Sequence, residues 1–227
     1  MKTERSNAAR VHPQPSEVAS ISDPFHAENY ATGAVIYRSG EATDRVYLVK
    51  SGRVRLLRPG RGNQRALLAV LRKGDLFGEL FRPEEAVTEE MAVASGATQV
   101  WSIGSREFRS LLESRPGMAV DIIKAMNERM RTMRRRLLGL TFKEVPARLA
   151  ELLLMLGEAH GERCAHGGEL DLKVVTQQDL ADLLGASRSF VSTLINDLKR
   201  DNLLGNVGRT LCLRDQRALK KLAAKEA

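Results

Sequence analysis

Short apolar runs separated by glycines dominate the first half of the chain, between about residues 32 and 105. Several short strands at regular spacing, with turn signals between them, predict a β-sandwich or β-roll. The apolar runs that predict strands are residues 35–37, 46–49, 54–57, 66–71, 91–94 and 100–103. A short helix is predicted directly after them, over residues 106–114.

The hydrophobic period changes after Pro116, where apolar residues recur at alternating steps of four and three. This heptad spacing places them on one narrow stripe of a helix whose other faces are charged. Such a stripe needs a partner helix, so pairing of two chains in a homodimer is predicted. Packing of the stripe against the chain's own β-domain is the alternative. The predicted dimerisation residues are Ile123, Met126, Met130, Met133, Leu137 and Leu140.

Two short helices joined by a three-residue turn are predicted within residues 176–200. Thr176 followed three residues later by Asp179 resembles a capping box, so a helix is predicted to begin there. Gly185 suits the left-handed residue that ends a helix, and Ser187 suits the N-cap of the next helix. This order of signals predicts a helix-turn-helix, whose second helix presents its first residues to base edges in the DNA major groove.

A β-hairpin is predicted over residues 203–213 with a turn at 206–208, and a strand is predicted at 170–174. Together with the two helices they predict a winged helix, although an ordinary helical hairpin with polar surface residues is the alternative. Arginine can donate two hydrogen bonds to a guanine edge, and hydroxyl groups can bond bases or phosphates. The predicted DNA-binding residues are Thr176, Gln177, Gln178, Ser187, Arg188, Ser189, Ser192, Thr193 and Arg209.

The charge distribution refines this prediction. The chain of 227 residues has 36 basic and 28 acidic side chains, a net charge of +8, which is compatible with a polyanionic partner such as double-stranded DNA. The excess is concentrated in residues 116–143, whereas residues 144–227 hold equal numbers of basic and acidic groups. Contacts to DNA from the predicted winged helix must therefore come from individually positioned side chains.

Several classes of protein are disfavoured by what the sequence lacks. The N-terminal residues are polar, without the apolar stretch of roughly 7 to 15 residues that a secretory signal needs, and no segment approaches the roughly 18 apolar residues of a membrane span. A cytoplasmic protein without a membrane partner is therefore predicted. Two cysteines are too few for a disulfide framework or a four-cysteine iron-sulfur cluster in one chain.

No metal and no other cofactor is predicted. The first 100 residues contain no cysteine, and the histidines lie outside the predicted β-roll core. A jelly-roll metalloenzyme, the enzyme alternative, would need histidine and carboxylate ligands clustered inside the roll. The chain is therefore predicted not to be an enzyme. The four histidines are His12, His26, His160 and His166.

Three stretches carry a resemblance to a known family: GAVIYRSGEATDRVYLVKSGRVRLL, KGDLFGEL and TQQDLADLLGASRSFVSTLINDLKR. From about residue 30 to 218 the chain resembles the cyclic AMP receptor protein and FNR superfamily of bacterial transcription regulators. The resemblance implies an α+β fold with an N-terminal β-roll (a cyclic-nucleotide-binding-like jelly roll), a long dimerisation helix and a C-terminal winged helix-turn-helix. It also implies a homodimer that binds a two-fold DNA site and recruits RNA polymerase.

The pattern and the resemblance together predict four segments. Residues 1–24 are expected to be a flexible tail, and 25–115 the β-roll sensor-like domain. Residues 116–143 are expected to hold the dimerisation helix and a hinge near 141–144, and 144–227 the DNA-binding domain.

The sensor-like domain departs from the family's cyclic AMP binders. In those members a Gly-Glu pair follows a Gly-Asp turn, and a later Arg-Ser pair holds the cyclic phosphate. Gly78 and Glu79 match the first pair, but Thr88, Glu89 and Glu90 occupy the region of the second. Carboxylates repel a phosphate, so no response to cyclic AMP is predicted. The candidate effector-pocket residues are Gly78, Glu79, Leu80, Thr88, Glu89, Glu90, Met133 and Arg134.

A constitutive regulator that is active without a ligand is the alternative for this domain. The two possibilities differ in whether the space beneath residues 78–91 is filled by side chains or left open. In the recognition helix, Arg188 matches the family position that contacts guanine. Ser189 stands where family members often carry glutamate, and Thr193 where many carry arginine, so a different base preference is expected.

Overall fold

The computed structural model describes residues 25–41, 43–60, 65–78, 87–164, 170–172, 175–207 and 210–225. These residues form twelve strands and six helices. The strands are β1 (His26–Tyr30), β2 (Val35–Tyr37), β3 (Arg45–Ser51), β4 (Arg53–Pro59), β5 (Arg65–Arg72), β6 (Leu76–Gly78), β7 (Met91–Ala94), β8 (Thr98–Gly104), β9 (Glu162–Arg163), β10 (Leu170–Leu172), β11 (Leu204–Val207) and β12 (Thr210–Leu213). The helices are α1 (Ser105–Ser114), α2 (Pro116–Phe142), α3 (Val145–His160), α4 (Gln177–Leu184), α5 (Arg188–Arg200) and α6 (Gln216–Ala223).

The first eight strands form two antiparallel four-stranded sheets, in the orders β1-β8-β3-β6 and β2-β7-β4-β5. All six predicted strands are present, which confirms the β-roll. The sequence pattern missed β6, and it missed β1 because its residues, HAENY, are mostly polar and exposed. Strand β1 exists through its pairing with β8 along the edge of the first sheet.

Helix α2 has two different faces. Near its start, Ile122 is buried in a cluster with Val46, Ile103 and Phe108 of the β-roll and α1. Arg129 on the next turns pairs with Asp75 of the β-roll at 3.6 Å. The predicted heptad stripe lies on another face and is exposed to solvent in the single chain, so the alternative in which it packs against the chain's own β-domain is wrong. The exposed stripe comprises Ile123, Met126, Met130, Met133, Leu137 and Leu140.

The hinge between the two domains is shorter than predicted and is fastened by hydrogen bonds. Thr141 still belongs to α2, and only Lys143 and Glu144 are extended. The Lys143 ammonium group lies 2.8 Å from the Glu151 carboxylate on α3 and donates to the carbonyl oxygen of Ala223 at the end of α6. The end of α2 is therefore anchored to two helices of the C-terminal domain.

The predicted DNA-binding domain combines α3 to α6 with a third sheet, in the order β11-β12-β10-β9. Its core is a single cluster of leucine, isoleucine, valine and alanine side chains from all four helices and the hairpin. The predicted turn at 206–208 needs correction, because Asn206 pairs with Leu211 and Val207 with Thr210. Ladder pairing extends the strand through Val207, and residues 208–209 lie outside the described part of the chain.

The two domains meet where α4 rests on β4 and β5. The Arg55 guanidinium donates to the Asp179 carboxylate, which is only 2% exposed. The backbone N–H of Leu67 donates to Asp182 Oδ2 at 3.2 Å, and Leu183 packs against the apolar cluster that contains Leu67. The first helix of the helix-turn-helix is thus held on the β-roll by an ion pair, a hydrogen bond and an apolar contact.

Replacing Arg55 with methionine should lower the free energy of unfolding by about 3 kcal/mol, because it leaves the buried Asp179 carboxylate without its cation. Urea unfolding followed by circular dichroism measures the change. Arg58→Met is the matched control on the same strand: its ion pair with Glu89 joins side chains that are 58% and 63% exposed, so a loss below about 1 kcal/mol is expected. Equal losses in the two variants would contradict the assigned role of Arg55.

Candidate DNA interface and ligand region

The capping box at the start of α4 is formed by both of its hydrogen bonds. Thr176 Oγ1 accepts from the backbone N–H of Asp179 at 3.2 Å, and Asp179 Oδ2 accepts from the backbone N–H of Thr176 at 2.8 Å. Thr176 and Gln178 are exposed, and Gln177 is half-buried. The amide of Gln178 donates to Asp182 Oδ1 at 2.7 Å. The predicted DNA-binding residues of this helix therefore lie together at its N-terminal end.

The turn between α4 and α5 follows the predicted signals. Gly185 has a φ of +62°, and an added Cβ would meet no atom within 4 Å. Glycine is therefore favoured there by the left-handed backbone and not by lack of space. Ser187 Oγ accepts from the backbone N–H of Phe190 at 3.2 Å and caps α5. The two caps and the glycine fix where each helix ends and begins.

Helix α5 buries one face and exposes the predicted recognition residues on the other. Val191, Ile195 and Leu198 are buried in the domain core. The predicted residues Ser187, Arg188, Ser189 and Thr193 are exposed, whereas Ser192 is half-buried. Arg209, the predicted wing contact, lies outside the described residues.

The hydroxyl groups on this face already have partners within the helix. Thr193 Oγ1 donates to the backbone carbonyl of Ser189 at 3.2 Å, and the hydroxyls of Ser187 and Ser189 are 3.1 Å apart. The exposed guanidinium of Arg188 makes no hydrogen bond or ion pair to the described residues. Arg188 is accordingly the polar group of this helix end that is best placed to bind an external partner.

Phe190 is a candidate recognition residue that the sequence analysis did not name. It is the third residue of α5, and it is 44% exposed although it is the largest apolar side chain of the helix. The sequence signal was available, because an aromatic residue lies in the first turn, between Arg188 and Val191, on a helix predicted to face DNA. Only polar side chains were considered there for base contacts, so the aromatic one was missed.

In the candidate ligand region, the backbone conformation and the close neighbours of residue 78 require a glycine there. Its φ is +87°, and an added Cβ would lie 2.7 Å from both the carbonyl oxygen of Arg45 and the ring of Tyr47. A side chain at this position would clash, whatever ligand the domain binds. Glu79 and Leu80, the next two predicted pocket residues, lie outside the described part of the chain.

The Thr88-Glu89-Glu90 segment has protein partners at each position. Thr88 is 1% exposed, and its hydroxyl donates to the carbonyl oxygen of Arg38 at 2.9 Å. Glu89 lies 2.9 Å from the guanidinium of Arg58, and the hydroxyl of Tyr37 donates to Glu90 at 3.0 Å. No cationic side chain comes from this segment, and its one buried hydroxyl is used to hold the neighbouring loop.

Aromatic side chains occupy the interior of the roll beside Gly78. Tyr37, Tyr47 and Phe77 are buried, and their ring centroids are 5.1 to 6.1 Å apart. Of these rings, Tyr47 lies directly against Gly78, and Tyr37 and Phe77 pack on it. The remaining predicted pocket residues, Met133 and Arg134, are exposed on α2 in the single chain.

Within the described residues, no three histidine, cysteine, aspartate or glutamate side chains form a cluster that could hold a metal ion. Nor is any helix in the described ranges long and apolar enough to cross a membrane.

Comparison with protein families identifies both domains. A cyclic nucleotide-binding domain family matches residues 27–115, and a Crp-like helix-turn-helix domain family matches residues 147–222. The division agrees with the two domains of the fold. It leaves the whole of α2 between the two matches.

Individual relatives share most of the chain's length. The chain is 29% identical over 209 residues to the cyclic AMP receptor protein of Thermus thermophilus, covering 92% of this chain and 93% of the relative. It is 26% identical over 211 residues to a CRP-like cAMP-activated global transcriptional regulator of Mycobacterium tuberculosis, with the same two coverages.

Solved structures of two other bacterial proteins have similar folds. A transcriptional regulator of the CRP/FNR family from Thermus thermophilus has a TM-score of 0.74 at 25% identity, covering 89% of this chain and all of that one. A mutant of CooA from Carboxydothermus hydrogenoformans has a TM-score of 0.71 at 28% identity, covering 88% of both chains.

Proposed function

The chain is a DNA-binding transcription regulator of the CRP/FNR superfamily, and we propose that it acts as a homodimer at promoters without needing cyclic AMP. The observation that carries the proposal is the doubly capped helix-turn-helix, with Arg188 exposed at the start of α5. In this proposal α5 enters the major groove, the N-terminal end of α4 contacts the phosphate backbone, and the bound dimer recruits RNA polymerase.

The homodimer is supported by the exposed stripe on α2. Ile123 is 65% exposed and Leu137 is 64% exposed, and the apolar side chains between them continue the same line. An apolar seam at heptad spacing on a 27-residue helix is buried by a second, identical helix. The methionines in the seam fill irregular gaps, which suits an interface that two copies can form without a unique geometry.

Replacing both Met130 and Met133 with aspartate should yield a monomer in sedimentation, because four carboxylates would face one another across the dimer seam. Specific DNA binding should be lost with the dimer, since two half-sites about 34 Å apart need two linked recognition helices. The matched control is Asn127→Asp with Arg135→Asp, which places carboxylates at exposed positions of α2 outside the stripe. A seam variant that still sediments as a dimer would contradict the assigned interface.

Base reading is proposed to rest on two side chains at the start of α5. Arg188 can donate two hydrogen bonds to a guanine edge, and the exposed ring of Phe190 can pack on the methyl group of a thymine. The hydroxyls of Ser189 and Thr193 are engaged within the protein, so they are assigned no dominant role. We therefore expect each half-site to hold one strongly preferred G·C pair and a neighbouring thymine.

The thymine contact is testable by replacing single thymines of a selected operator with deoxyuridine, which lacks only the methyl group. At one position per half-site the wild-type protein should lose about 0.8 kcal/mol of binding free energy, the value of one buried methyl group. The Phe190→Ala variant should bind the thymine operator and the deoxyuridine operator with equal affinity. Fluorescence anisotropy at fixed salt measures these affinities.

Arg188→Ala is the matched control for this experiment. Its affinity should still fall when thymine is replaced with deoxyuridine. Its DNA-binding free energy should weaken by about 1 to 3 kcal/mol per half-site, and it should no longer prefer a G·C pair at the one position. If Phe190→Ala kept the wild-type response to deoxyuridine at every thymine, Phe190 would not read a methyl group. If Arg188→Ala weakened all sequences equally, Arg188 would be a phosphate contact.

Independence from cyclic AMP is supported by the ligand region, although the relatives named above include proteins described as cyclic AMP receptors. Thr88 is buried and bonded to the neighbouring loop. Glu89 and Glu90 add negative charge, and the buried rings of Tyr37, Tyr47 and Phe77 pack together in the adjacent interior. Constitutive activity without any nucleotide is the alternative form of this proposal.

Titration calorimetry with millimolar cyclic AMP should accordingly show no saturable heat, and the nucleotide should leave DNA affinity unchanged. The physical reason is that a cyclic phosphate needs cationic or N–H donors, which the Thr88-Glu89-Glu90 side chains do not offer. The Thermus thermophilus cyclic AMP receptor protein serves as the binding control. Saturation in the micromolar range would show that other donors hold the phosphate.

A further inference from the structure

The only two cysteines of the chain meet inside the DNA-binding domain. Cys164 directly follows β9 and Cys212 lies in β12, and 48 residues separate them along the chain. The Cys164 thiol donates to Cys212 Sγ across 3.3 Å. We propose that this pair is a peroxide-reactive dithiol, which closes reversibly into an intramolecular disulfide.

The exposure of the two cysteine residues assigns them different roles. Cys164 is half-buried, whereas Cys212 is 1% exposed. A hydroperoxide from solvent therefore reaches Cys164 first, and Cys212 is positioned to attack the product. Reactive cysteines are commonly accessible and lie next to a second, resolving cysteine.

The reaction balances with hydrogen peroxide as the only oxidant. The Cys164 thiolate attacks one peroxide oxygen, the O–O bond breaks, and Cys164 becomes a sulfenic acid while water is released. The Cys212 thiolate then attacks the Cys164 sulfur, the S–O bond breaks, and a second water leaves. Two electrons and two hydrogens pass from the thiols to the peroxide, and a dithiol reductant reverses the change by exchange.

The backbone around the two cysteines allows their sulfur atoms to come close enough to form a disulfide. A disulfide requires the sulfurs to move from 3.3 Å to about 2.05 Å. The backbone of Cys212 is held by pairing with Asp171 on one side and Gly205 on the other. Cys164 lies one residue beyond Arg163, the last paired residue of β9, so the approach comes from Cys164.

Among the described residues, the two thiols have no further ligands with which to form a metal site. A structural zinc site needs four ligands, and in the described part of the chain no third histidine, cysteine, aspartate or glutamate completes a cluster with these thiols. Two adjacent thiols, one accessible and one buried, are suited to oxidation instead.

Closing this bond would tie the second strand of the wing to the segment after β9. The resulting ring encloses α4, the turn and α5, which is the whole helix-turn-helix. Cross-linking a ring of this size restricts the unfolded chain, so the oxidised domain should unfold at a higher temperature.

The test treats the reduced full-length protein with one equivalent of hydrogen peroxide, blocks remaining thiols with iodoacetamide, and measures intact mass. The expected product is a single chain that has lost two hydrogens and takes up no iodoacetamide. Because the chain has only two cysteines, an intramolecular disulfide in this product must join Cys164 to Cys212. Dithiothreitol should restore both thiols, and the oxidised form should melt at least about 5 °C higher than the reduced form.

The matched variants are Cys164→Ser and Cys212→Ala, neither of which can lose two hydrogens within one chain. If Cys212→Ala folds poorly because its site is buried, Cys164→Ser and the wild-type mass spectrum still decide the result. A product that has gained two oxygens at Cys164, or a disulfide between two chains, would overturn the proposal. No DNA enters the measurement, so its failure would leave the proposed promoter binding untouched.

Discussion

The two oxygens of the Asp179 carboxylate serve two different domains. One oxygen accepts a hydrogen bond from the backbone N–H of Thr176 and so caps the first helix of the helix-turn-helix. The other accepts a hydrogen bond from the guanidinium of Arg55 in the β-roll. A carboxylate this deeply buried is stable only while both partners are present, because an unpaired charge in a low-dielectric environment is costly. Asp179 therefore links the local folding of α4 to the position of the DNA-binding domain.

Two further contacts help to fix the orientation of the C-terminal domain relative to the β-roll. Leu183 reaches the apolar cluster of the second sheet, and Lys143 anchors the end of α2 to α3 and α6. The helix-turn-helix is thus positioned by two attachments, one through the β-roll and one through the long helix. Any rotation of the helix-turn-helix away from the roll would expose Leu183 and separate Arg55 from Asp179.

The sensor-like domain has the fold of the cyclic nucleotide-binding domain family, and three aromatic rings pack in its interior beside Gly78. Gly78 is retained because a Cβ there would strike the backbone of Arg45 and the ring of Tyr47. That requirement belongs to the β-roll itself, so a match at this glycine carries no information about a ligand. The informative positions are Thr88 to Glu90, where the side chains bind the protein and provide no cation for a phosphate.

The sequence by itself determined the parts of this protein that short-range interactions control. The capping box at Thr176, the left-handed Gly185, the Ser187 cap and the heptad stripe depend on residues at most a few positions apart, and each is present as predicted. The apolar strands were predicted equally well, because a buried strand needs apolar side chains whichever strands it pairs with. The family, too, was identified from these local motifs.

Only the tertiary structure decided the features that join distant residues. Strand β1 is polar and exists because β8 pairs with it, and Asn206 is in a strand because Leu211 lies opposite. Arg55 and Asp179 are 124 residues apart, and Cys164 and Cys212 are 48 apart. No periodicity encodes such pairs, since each arises when two separately formed elements pack. The physical reason is that hydrogen bonding within a turn depends on nearby sequence, whereas docking depends on where whole surfaces meet.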